Sequence, residues 1–192
     1  MGKLIHLATT SLDGYIEDAS GSFDWSAPDE EVHAFINDRV RSASVFLQGR
    51  LMYEVMAVWE TDPSLAESSP ITRDFAQIWQ GLDKIVYSTT LDRVITTRTS
   101  LERRFDPERV QSLKAEAAGD IGVGGSTLAA AVWRAGLVDE YQLFLVPWLV
   151  GGGKPALPPD VRLPLELLDQ RRFESGVVYL RYGMKAAEGG SQ

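Results

Sequence analysis

Four short segments of the sequence place glycine, hydroxyl or arginine side chains directly after a predicted strand. They are "SLDG" with Gly14, "QGR" with Gly49 and Arg50, "STT" with Ser88 and Thr89, and "GGST" from Gly124 to Thr127. Hydroxyls, the planar fork of an arginine and bare N–H groups at the start of a helix all bind phosphate and ribose oxygens. Because ligands of open α/β sheets bind beyond the carboxyl ends of the strands, the four segments together favour a nucleotide site.

The glycine pair Gly124–Gly125 lies between a short β-branched run and an Ala-rich amphipathic segment. Glycine is useful where the backbone needs a positive φ or approaches another group closely, and a helix start attracts anions. A bound phosphate and a simple tight strand-to-helix connection both account for the pair. The dinucleotide motif GxGxxG is disfavoured, because Thr127 replaces its third glycine and the segment follows three predicted strands.

The composition limits the classes of protein and site that the sequence can form. The chain has 192 residues and a net charge of −8, which disfavours nucleic acid as a partner. It has no cysteine and two histidines, so thiolate zinc sites, disulfides and cysteine nucleophiles are excluded and no metal is expected. We expect a cytoplasmic protein without a membrane segment, because the sequence has no apolar leader and no run of about 20 apolar residues.

Strand and helix patterns alternate over the first two thirds of the chain, and strands follow one another at the end. Predicted strands cover 4–10, 44–49, 84–88, 121–123 and 140–150, and a hairpin over 165–185 turns near Ser175 and Gly176. After a loop over 14–24, a helix begins at Pro28 with Ser26 as its N-cap; further helices cover 50–59, 72–79, 106–118 and 126–135. This order predicts one α/β domain over 1–185 with a mainly parallel sheet and antiparallel C-terminal strands, and a disordered tail over 186–192.

Five motifs occur in an order and spacing that indicate a family. They are "LATTSLDG", "GR" before "xMYE", "IVYSTTL", "VGGSTL" and "VPWLVGGG". Over about 3–184 they resemble the dihydrofolate reductase superfamily, and within it the standalone proteins related to the reductase domain of the riboflavin-biosynthesis deaminase/reductase. The resemblance implies a dihydrofolate reductase-like three-layer sandwich and an NADPH-dependent oxidoreductase. The zinc-binding deaminase domain is not expected, because the chain lacks the cysteines to build it.

The resemblance also implies which residues bind NADPH. The pair Gly124 and Gly125 would lie against the pyrophosphate, with Ser126 and Thr127 at the helix start. The arginine of the Gly49–Arg50 turn would bind the 2′-phosphate, for which its planar fork is suited. The remaining residues implied at the cofactor are Ala8, Gly14, Ser88, Thr89 and Val123.

The resemblance leaves three activities open. The first is reduction of a pyrimidine- or pteridine-like heterocycle, as by 5-amino-6-(5-phosphoribosylamino)uracil reductase of riboflavin biosynthesis. The second is dihydrofolate reduction itself, and the third is nucleotide binding without catalysis on the same scaffold. Substrate contacts would come from Trp25, Tyr53 and Lys154, although both aromatic residues also suit a packed core.

Reduction of a C=N bond needs a proton donor, and two residues compete for that role. The family pattern Trp-x-x-Pro-x-acid, matched to "WSAPDE", places the acid at Glu30. Helical geometry instead favours Asp29, which falls near the centre of a face formed by Val32, Phe35, Ile36 and Val40. Both residues also suit a purely structural role at a helix start, where acidic side chains complement the dipole.

The C-terminal strands carry more apolar side chains than one sheet face needs. The residues concerned are Tyr141, Phe144, Trp148 and Tyr179. Because the related reductase domains are commonly dimers, we expect a homodimer.

Overall fold

A computed structural model describes residues 2–185, and the predicted disordered tail over 186–192 lies outside the described residues. Eight described strands form one sheet in the order β5-β4-β3-β6-β1-β7-β10-β9. The strands are β1 Leu4–Ser11, β2 Tyr15–Asp18, β3 Ala43–Gly49, β4 Asp83–Tyr87, β5 Thr99–Glu102, β6 Asp120–Gly124, β7 Glu140–Val146, β8 Gly153–Pro155, β9 Leu165–Arg172 and β10 Val178–Met184. The helices are α1 Glu30–Val40, α2 Arg50–Met56, α3 Val58–Thr61, α4 Pro63–Ala66, α5 Pro70–Gly81, α6 Pro107–Glu116 and α7 Ser126–Arg134.

The sheet is mainly parallel, as the sequence predicts. β1 pairs parallel with β6 and β7, β3 with β4 and β6, and β4 with β5. β10 alone runs against its neighbours, pairing antiparallel with both β7 and β9. The hairpin turns at Gly176, where φ is 87°, a conformation that favours glycine. The predicted α/β class with antiparallel C-terminal strands is therefore confirmed.

Helices cover both faces of the sheet and make three layers. On one face, Val110 of α6 and Leu128, Val132 and Trp133 of α7 join the buried core with residues of β1, β3 and β6. The other face is covered by α1, which packs on β7 and β10, and by α5, which packs near β3. Tyr141, Phe144 and Tyr179 are buried in these layers, so of the four aromatic residues expected at a dimer surface only Trp148 is exposed.

Side-chain caps fix where several helices begin. Asp106 caps α6 and Pro107 occupies its first turn, in agreement with the sequence pattern. α1 differs from the prediction, because its N-cap is Asp29 and not Ser26: the Asp29 carboxylate accepts a hydrogen bond from Val32 N at 2.8 Å. Pro28 therefore precedes the cap, and Ser26 belongs to a short 3-10 helix over Asp24–Ser26.

The segment predicted as a loop over 14–24 contains structure of its own. β2 within it pairs antiparallel with β8, 135 or more residues later along the chain, in a two-stranded ribbon outside the main sheet. An ion pair of 2.7 Å between Glu17 and Lys154 joins the two strands. Asp13 links the same segments, since its carboxylate accepts hydrogen bonds from Val150 N and Gly151 N. The ribbon therefore holds the loops after β1 and β7 together.

Among residues 2–185, no helix combines the length and the apolar character needed to cross a bilayer.

Candidate functional site

A cleft of about 520 Å³ runs over the face of the sheet that carries α1 and α5. Its upper end lies at the carboxyl ends of the parallel strands, beside Ala8, Thr9 and Gly124. Its lower end lies at the opposite edge, beside Ile5, Arg39 and Asp120. Since Ile5 and Thr9 are four residues apart on β1, the two ends are separated by about 13 Å.

Apolar side chains form most of the wall between the two ends. They come from β1, β3, α1, α2 and α5 and include Leu7, Ile36, Phe46, Met52, Met56 and Trp79. Leu51 and Val55 of α2 also line the cleft and are 54% and 44% exposed. Large apolar side chains that are this exposed in a concave surface indicate a ligand-binding site rather than ordinary surface.

The glycines at the end of β6 have distinct physical reasons to be there. A Cβ on Gly122 or Gly124 would lie within 3.0 Å of the Phe46 ring, so both glycines allow that ring to pack on the strand. Gly125 has φ of 87° and is the N-cap of α7, without a side-chain hydrogen bond to the first turn. The structure therefore contains a tight connection, and it also leaves the N–H groups at the start of α7 without a side-chain cap.

A second helix begins in the same way beside the first. α2 follows β3 with Gly49 as its N-cap, again without a side-chain hydrogen bond. A Cβ placed on Gly125 would lie 3.5 Å from Gly49 N, so the two glycines face each other closely. Two helix starts with unsatisfied N–H groups attract anions, and the absent side chains leave room for one. This arrangement fits the pyrophosphate of a dinucleotide.

The other residues predicted at the cofactor lie around the same sheet edge in different environments. Arg50 is exposed and forms an ion pair of 2.9 Å with Glu54 on the next turn of α2. The Ser88 hydroxyl accepts hydrogen bonds from Thr90 N and Leu91 N, which shapes the turn after β4, while Thr89 is exposed. Ala8 and Ser126 line the cleft. Val123 is buried in the core, Thr127 is exposed on α7, and Gly14 accepts a hydrogen bond from Ala156 N.

The two predicted proton donors lie at the start of α1, outside the cleft wall. The Val32 N–H and the Ser175 hydroxyl hold the pKa of the Asp29 carboxyl below its usual value, because both donate hydrogen bonds to the charged form. Glu30 is exposed in the first turn. Two other acids, Glu17 and Asp24, line the cleft near its upper end. Sequence reasoning missed them because they lie in the segment predicted as a loop.

The three predicted substrate residues are not brought together. Lys154 lines the cleft but forms the ion pair with Glu17. Tyr53 is buried, and its hydroxyl accepts a hydrogen bond from Ile95 N at 2.7 Å, which anchors the segment after β4. Trp25 packs against the cluster under α1, and its indole N–H donates to Ser22 O at 3.2 Å.

Polar side chains without partners occur on β7, β10 and α1 along one side of the cleft. Gln142 of β7 is 4% exposed, and its Oε1 atom has no hydrogen-bond partner. Arg39 of α1 has a buried Nε without a partner, and its guanidinium lies 4.9 Å from the centre of the Phe35 ring. Within the described chain, no carboxylate forms an ion pair with Arg39.

Tyr179 and Arg181 of β10 extend this group beside Gln142. Arg181 is the residue opposite Gln142 in the β7–β10 pairing. The Arg181 Nε and the Tyr179 hydroxyl are both buried without a hydrogen-bond partner. Burial raises the pKa of the Tyr179 hydroxyl; the positive charges of Arg39 and Arg181 oppose that shift, and the negative charge of Asp169, which lies opposite Arg181 in the β9–β10 pairing, adds to it. We call Arg39, Gln142, Tyr179 and Arg181 the unpartnered polar cluster. No sequence motif signalled it, because only the register of β7 and β10 brings these residues together.

Comparison with known proteins places this site in context. The family model described as the RibD C-terminal domain matches residues 3–179. The chain is 28% identical over 181 residues to the YyaP protein of Bacillus subtilis (strain 168), covering 93% of each chain.

Solved structures share the fold. A protein from Shewanella sp. PV-4, provisionally assigned to riboflavin biosynthesis, matches with a TM-score of 0.73 and 21% identity, over 95% of this chain and 99% of the other. Dihydrofolate reductase from Enterococcus faecalis, solved in complex with NADP(H), matches with a TM-score of 0.61 and 14% identity. The match covers 95% of this chain and 96% of the other. The dihydrofolate reductase-like fold implied by the sequence motifs is confirmed.

Proposed function

Because the chain belongs to the RibD C-terminal domain family, we propose that it is an NADPH-dependent reductase of a pyrimidine- or pteridine-like heterocycle. The relationship to reductases supports an oxidoreductase, and the lack of cysteine in the sequence supports a cytoplasmic location. The observation that carries the proposal is the facing pair of glycine-capped helix starts, Gly49 and Gly125, above an apolar cleft. The two helix starts fit a pyrophosphate, and the apolar cleft fits a ring stacked over the sheet.

Each part of the upper end has a separate task in this proposal. The N–H groups at the start of α7 and the Ser126 hydroxyl hold the pyrophosphate, and Arg50 binds the 2′-phosphate after exchanging Glu54 for it. NADPH, when bound, supplies a hydride to the heterocycle. Ala8 lines the upper end of the cleft while its methyl group belongs to the core on the α6–α7 face, so its backbone is the part that the rings would approach. The apolar wall excludes water from the reacting ring.

The proton that completes the reduction needs a donor inside the cleft. Asp24 and Glu17 line its upper end, but Glu17 is bound to Lys154. Asp29 serves α1 as a cap, and Glu30 points to solvent. We therefore propose Asp24 as the donor. The alternatives are Asp29, which helical geometry favours, and Glu30, which the family pattern favours. A donor must come within hydrogen-bond reach of the atom it protonates, directly or through one water.

Two other activities remain as alternatives. Dihydrofolate reduction would use the same cofactor site with a different heterocycle. Nucleotide binding without catalysis would use the facing glycines and leave the cleft without a reacting ligand. A panel of pyrimidinones and pterins, assayed for NADPH oxidation, separates the three.

Calorimetric titration with NADPH and with NADH tests the cofactor. We expect the wild type to bind NADPH more tightly, and Arg50→Ala to weaken NADPH binding about tenfold or more while NADH binding stays the same, because only NADPH carries the 2′-phosphate. Glu54→Gln is the matched control: it frees Arg50 and removes a negative charge, so NADPH binding is expected to tighten. Failure of the wild type to bind either nucleotide would overturn the reductase proposal.

A further inference from the structure

A glutamine is built into the apolar wall of the cleft, one step below its upper end. Gln142 lines the cleft, and in the strand register it lies opposite Leu7 of β1. Leu7 precedes Thr9, at the upper end, by two residues, so Gln142 lies about 7 Å below that end. A ring whose reacting side is at the upper end therefore has its other side near the Gln142 carboxamide.

The Gln142 carboxamide has no partner in the fold to satisfy its oxygen. The residue is 4% exposed, and within residues 2–185 its Oε1 atom is buried without a hydrogen-bond partner. Buried polar atoms are nearly always paired, because an unpaired acceptor loses its hydrogen bonds to water and gains none in return. An unpaired acceptor on the wall of a cleft is therefore positioned to bind a donor of the ligand.

Charged side chains of both signs surround this carboxamide. Arg181 lies opposite Gln142 on β10, and Asp169 of β9 lies opposite Arg181 in turn. Glu140, two residues before Gln142 on β7, forms an ion pair of 2.6 Å with Lys3. Because positive and negative groups occur together here, the pattern of donor and acceptor, and not a net charge, is what the carboxamide selects.

A carboxamide presents one acceptor and one donor side by side. It forms two parallel hydrogen bonds with an uncharged ring edge that also has a donor beside an acceptor, as glutamine does with adenine. The N–H and carbonyl of a cyclic amide form such an edge. A protonated amidine edge presents two donors side by side, and its partner is a carboxylate.

In the described part of the chain, the carboxylates that line the cleft lie away from this level. Glu17 and Asp24 lie near the upper end, and Asp120 lies at the lower end. Glu17 forms its ion pair with Lys154, and Asp120 accepts a hydrogen bond from the Ser42 hydroxyl. The wall beside the ring is therefore suited to an uncharged edge and not to a protonated amidine.

We propose that Gln142 binds the substrate ring along an uncharged edge, with Oε1 accepting from a ring N–H and Nε2 donating to the adjacent carbonyl. The substrate class is then a heterocycle with a cyclic-amide edge, bound in its neutral form. This inference rests on the proposed function for the nature of the ligand, but its test measures binding and needs no turnover.

Three pteridines that differ only at this edge serve as probes. 6,7-Dimethyllumazine has ring N–H groups beside carbonyls, and 1,3,6,7-tetramethyllumazine has the same carbonyls but methyl groups in place of both N–H hydrogens. 2,4-Diamino-6,7-dimethylpteridine has an amidine edge that can take up a proton. Fluorescence titration near neutral pH, with and without excess NADP⁺, gives each dissociation constant. We expect the wild type to bind dimethyllumazine about tenfold more tightly than its tetramethyl form.

Two substitutions with matched controls assign this preference to one side chain. Gln142→Met removes the donor and the acceptor, and is expected to weaken dimethyllumazine about tenfold and leave the tetramethyl form unchanged. Gln142→Glu supplies two acceptors, and is expected to bind the diamino probe about tenfold more tightly than the wild type does. The same changes at Gln111, an exposed residue of α6 on the opposite face of the sheet, are expected to alter neither. Calorimetry with NADPH reports whether each variant is folded.

The outcomes distinguish this inference from the proposed function. Equal binding of the two lumazines, a methylation effect that persists in Gln142→Met, or failure of all three probes to bind in the presence of NADP⁺ would each overturn the assignment. A protein that binds NADPH without these preferences would retain the reductase function and lose this inference. A protein with these preferences that binds neither NADPH nor NADH would keep the Gln142 assignment and lose the reductase function.

Discussion

The position of each acid near the upper end decides what it can do. Asp29 accepts hydrogen bonds that lower its pKa, so at neutral pH it is a carboxylate and a poor proton donor. Its role as the cap of α1 also requires the charged or at least the accepting form. Asp24 lines the cleft, and within residues 2–185 its carboxylate neither caps a helix nor forms an ion pair. The geometry of the cleft thus favours Asp24 as the proton donor, whereas the family spacing favours Glu30.

Substitution of each acid separates these roles. With the best substrate from the pyrimidinone and pterin panel, Asp24→Asn is expected to lower kcat by about 10²- to 10⁴-fold, the usual contribution of a general acid. Asp29→Asn is expected to leave kcat within a few-fold, because asparagine is also a good N-cap. Glu30→Gln serves as the exposed control. If Asp29→Asn or Glu30→Gln abolishes turnover while Asp24→Asn does not, the donor is at the start of α1.

A buried histidine makes the stability of the fold depend on pH. His6 on β1 is almost fully buried, and its Nδ1 atom accepts a hydrogen bond of 3.0 Å from the Trp133 indole. Burial lowers the pKa of His6 to about 4, from an ordinary value of about 6.5. Between pH 6.5 and pH 4, therefore, His6 is protonated in the unfolded chain and neutral in the folded chain. Stability from this group is fully present above pH 6.5 and is lost as the pH falls toward 4.

The measurement is thermal unfolding of the wild type and of His6→Gln at several pH values between 4 and 7.5. At pH 7.5 the variant is expected to be less stable by about 1–3 kcal/mol, because the packing and the hydrogen bond to Trp133 are disturbed. That difference is expected to shrink by about 3 kcal/mol as the pH falls through the window, or to change sign. A difference independent of pH would mean that His6 titrates alike in both states.

Two equivalent elements build the upper end: a strand, a glycine cap and a helix, first as β3-Gly49-α2 and again as β6-Gly125-α7. The sequence predicts both units, because the apolar run, the glycine and the amphipathic segment are local signals. It does not predict β2 and β8, which are short and stabilised by each other across the chain. The unpartnered polar cluster depends in the same way on strand register, so its residues carry no local pattern.

Gly125 is required for its positive φ and for the space beside it, whereas Gly136, just beyond the other end of α7, is required only for its positive φ. Gly125 and Gly136 both have positive φ, 87° and 66°, one at each end of the helix. Alanine at either position costs about 1–2 kcal/mol of stability, because an L side chain is strained there. Alanine at 125 also places a methyl group 3.3 Å from Met52 Cβ and 3.5 Å from Gly49 N, whereas alanine at 136 meets open space.

We therefore expect Gly125→Ala and Gly136→Ala to lose similar stability in denaturant unfolding, while only Gly125→Ala loses NADPH affinity in calorimetry. Both variants strain the backbone, but only Gly125→Ala obstructs the space between the starts of α2 and α7. Equal retention of NADPH by the two variants would show that the glycine serves the connection and not the pyrophosphate.

On the scale of the whole molecule, one edge of the sheet remains open. All eight residues of β9 are exposed, and Leu165, Leu167 and Leu168 are among them. An exposed edge strand with leucines is a template for pairing with another chain. Glu166 lies near its start and Arg171 and Arg172 lie at its end, so antiparallel pairing of two copies brings opposite charges together.

This edge, and not the buried aromatic residues of β7 and β10, now supports the expected homodimer. Sedimentation of the wild type is expected to give twice the mass of one chain, and Leu167→Lys is expected to shift the equilibrium to monomer, since a lysine at the centre of a paired edge would be desolvated. Leu149→Lys is the control, at a leucine that is 71% exposed in the loop after β7. A monomeric wild type, or dimers that Leu149→Lys dissociates and Leu167→Lys does not, would exclude the β9 edge. Because the cleft lies on one face within a single chain, loss of the dimer is expected to leave binding of NADPH intact.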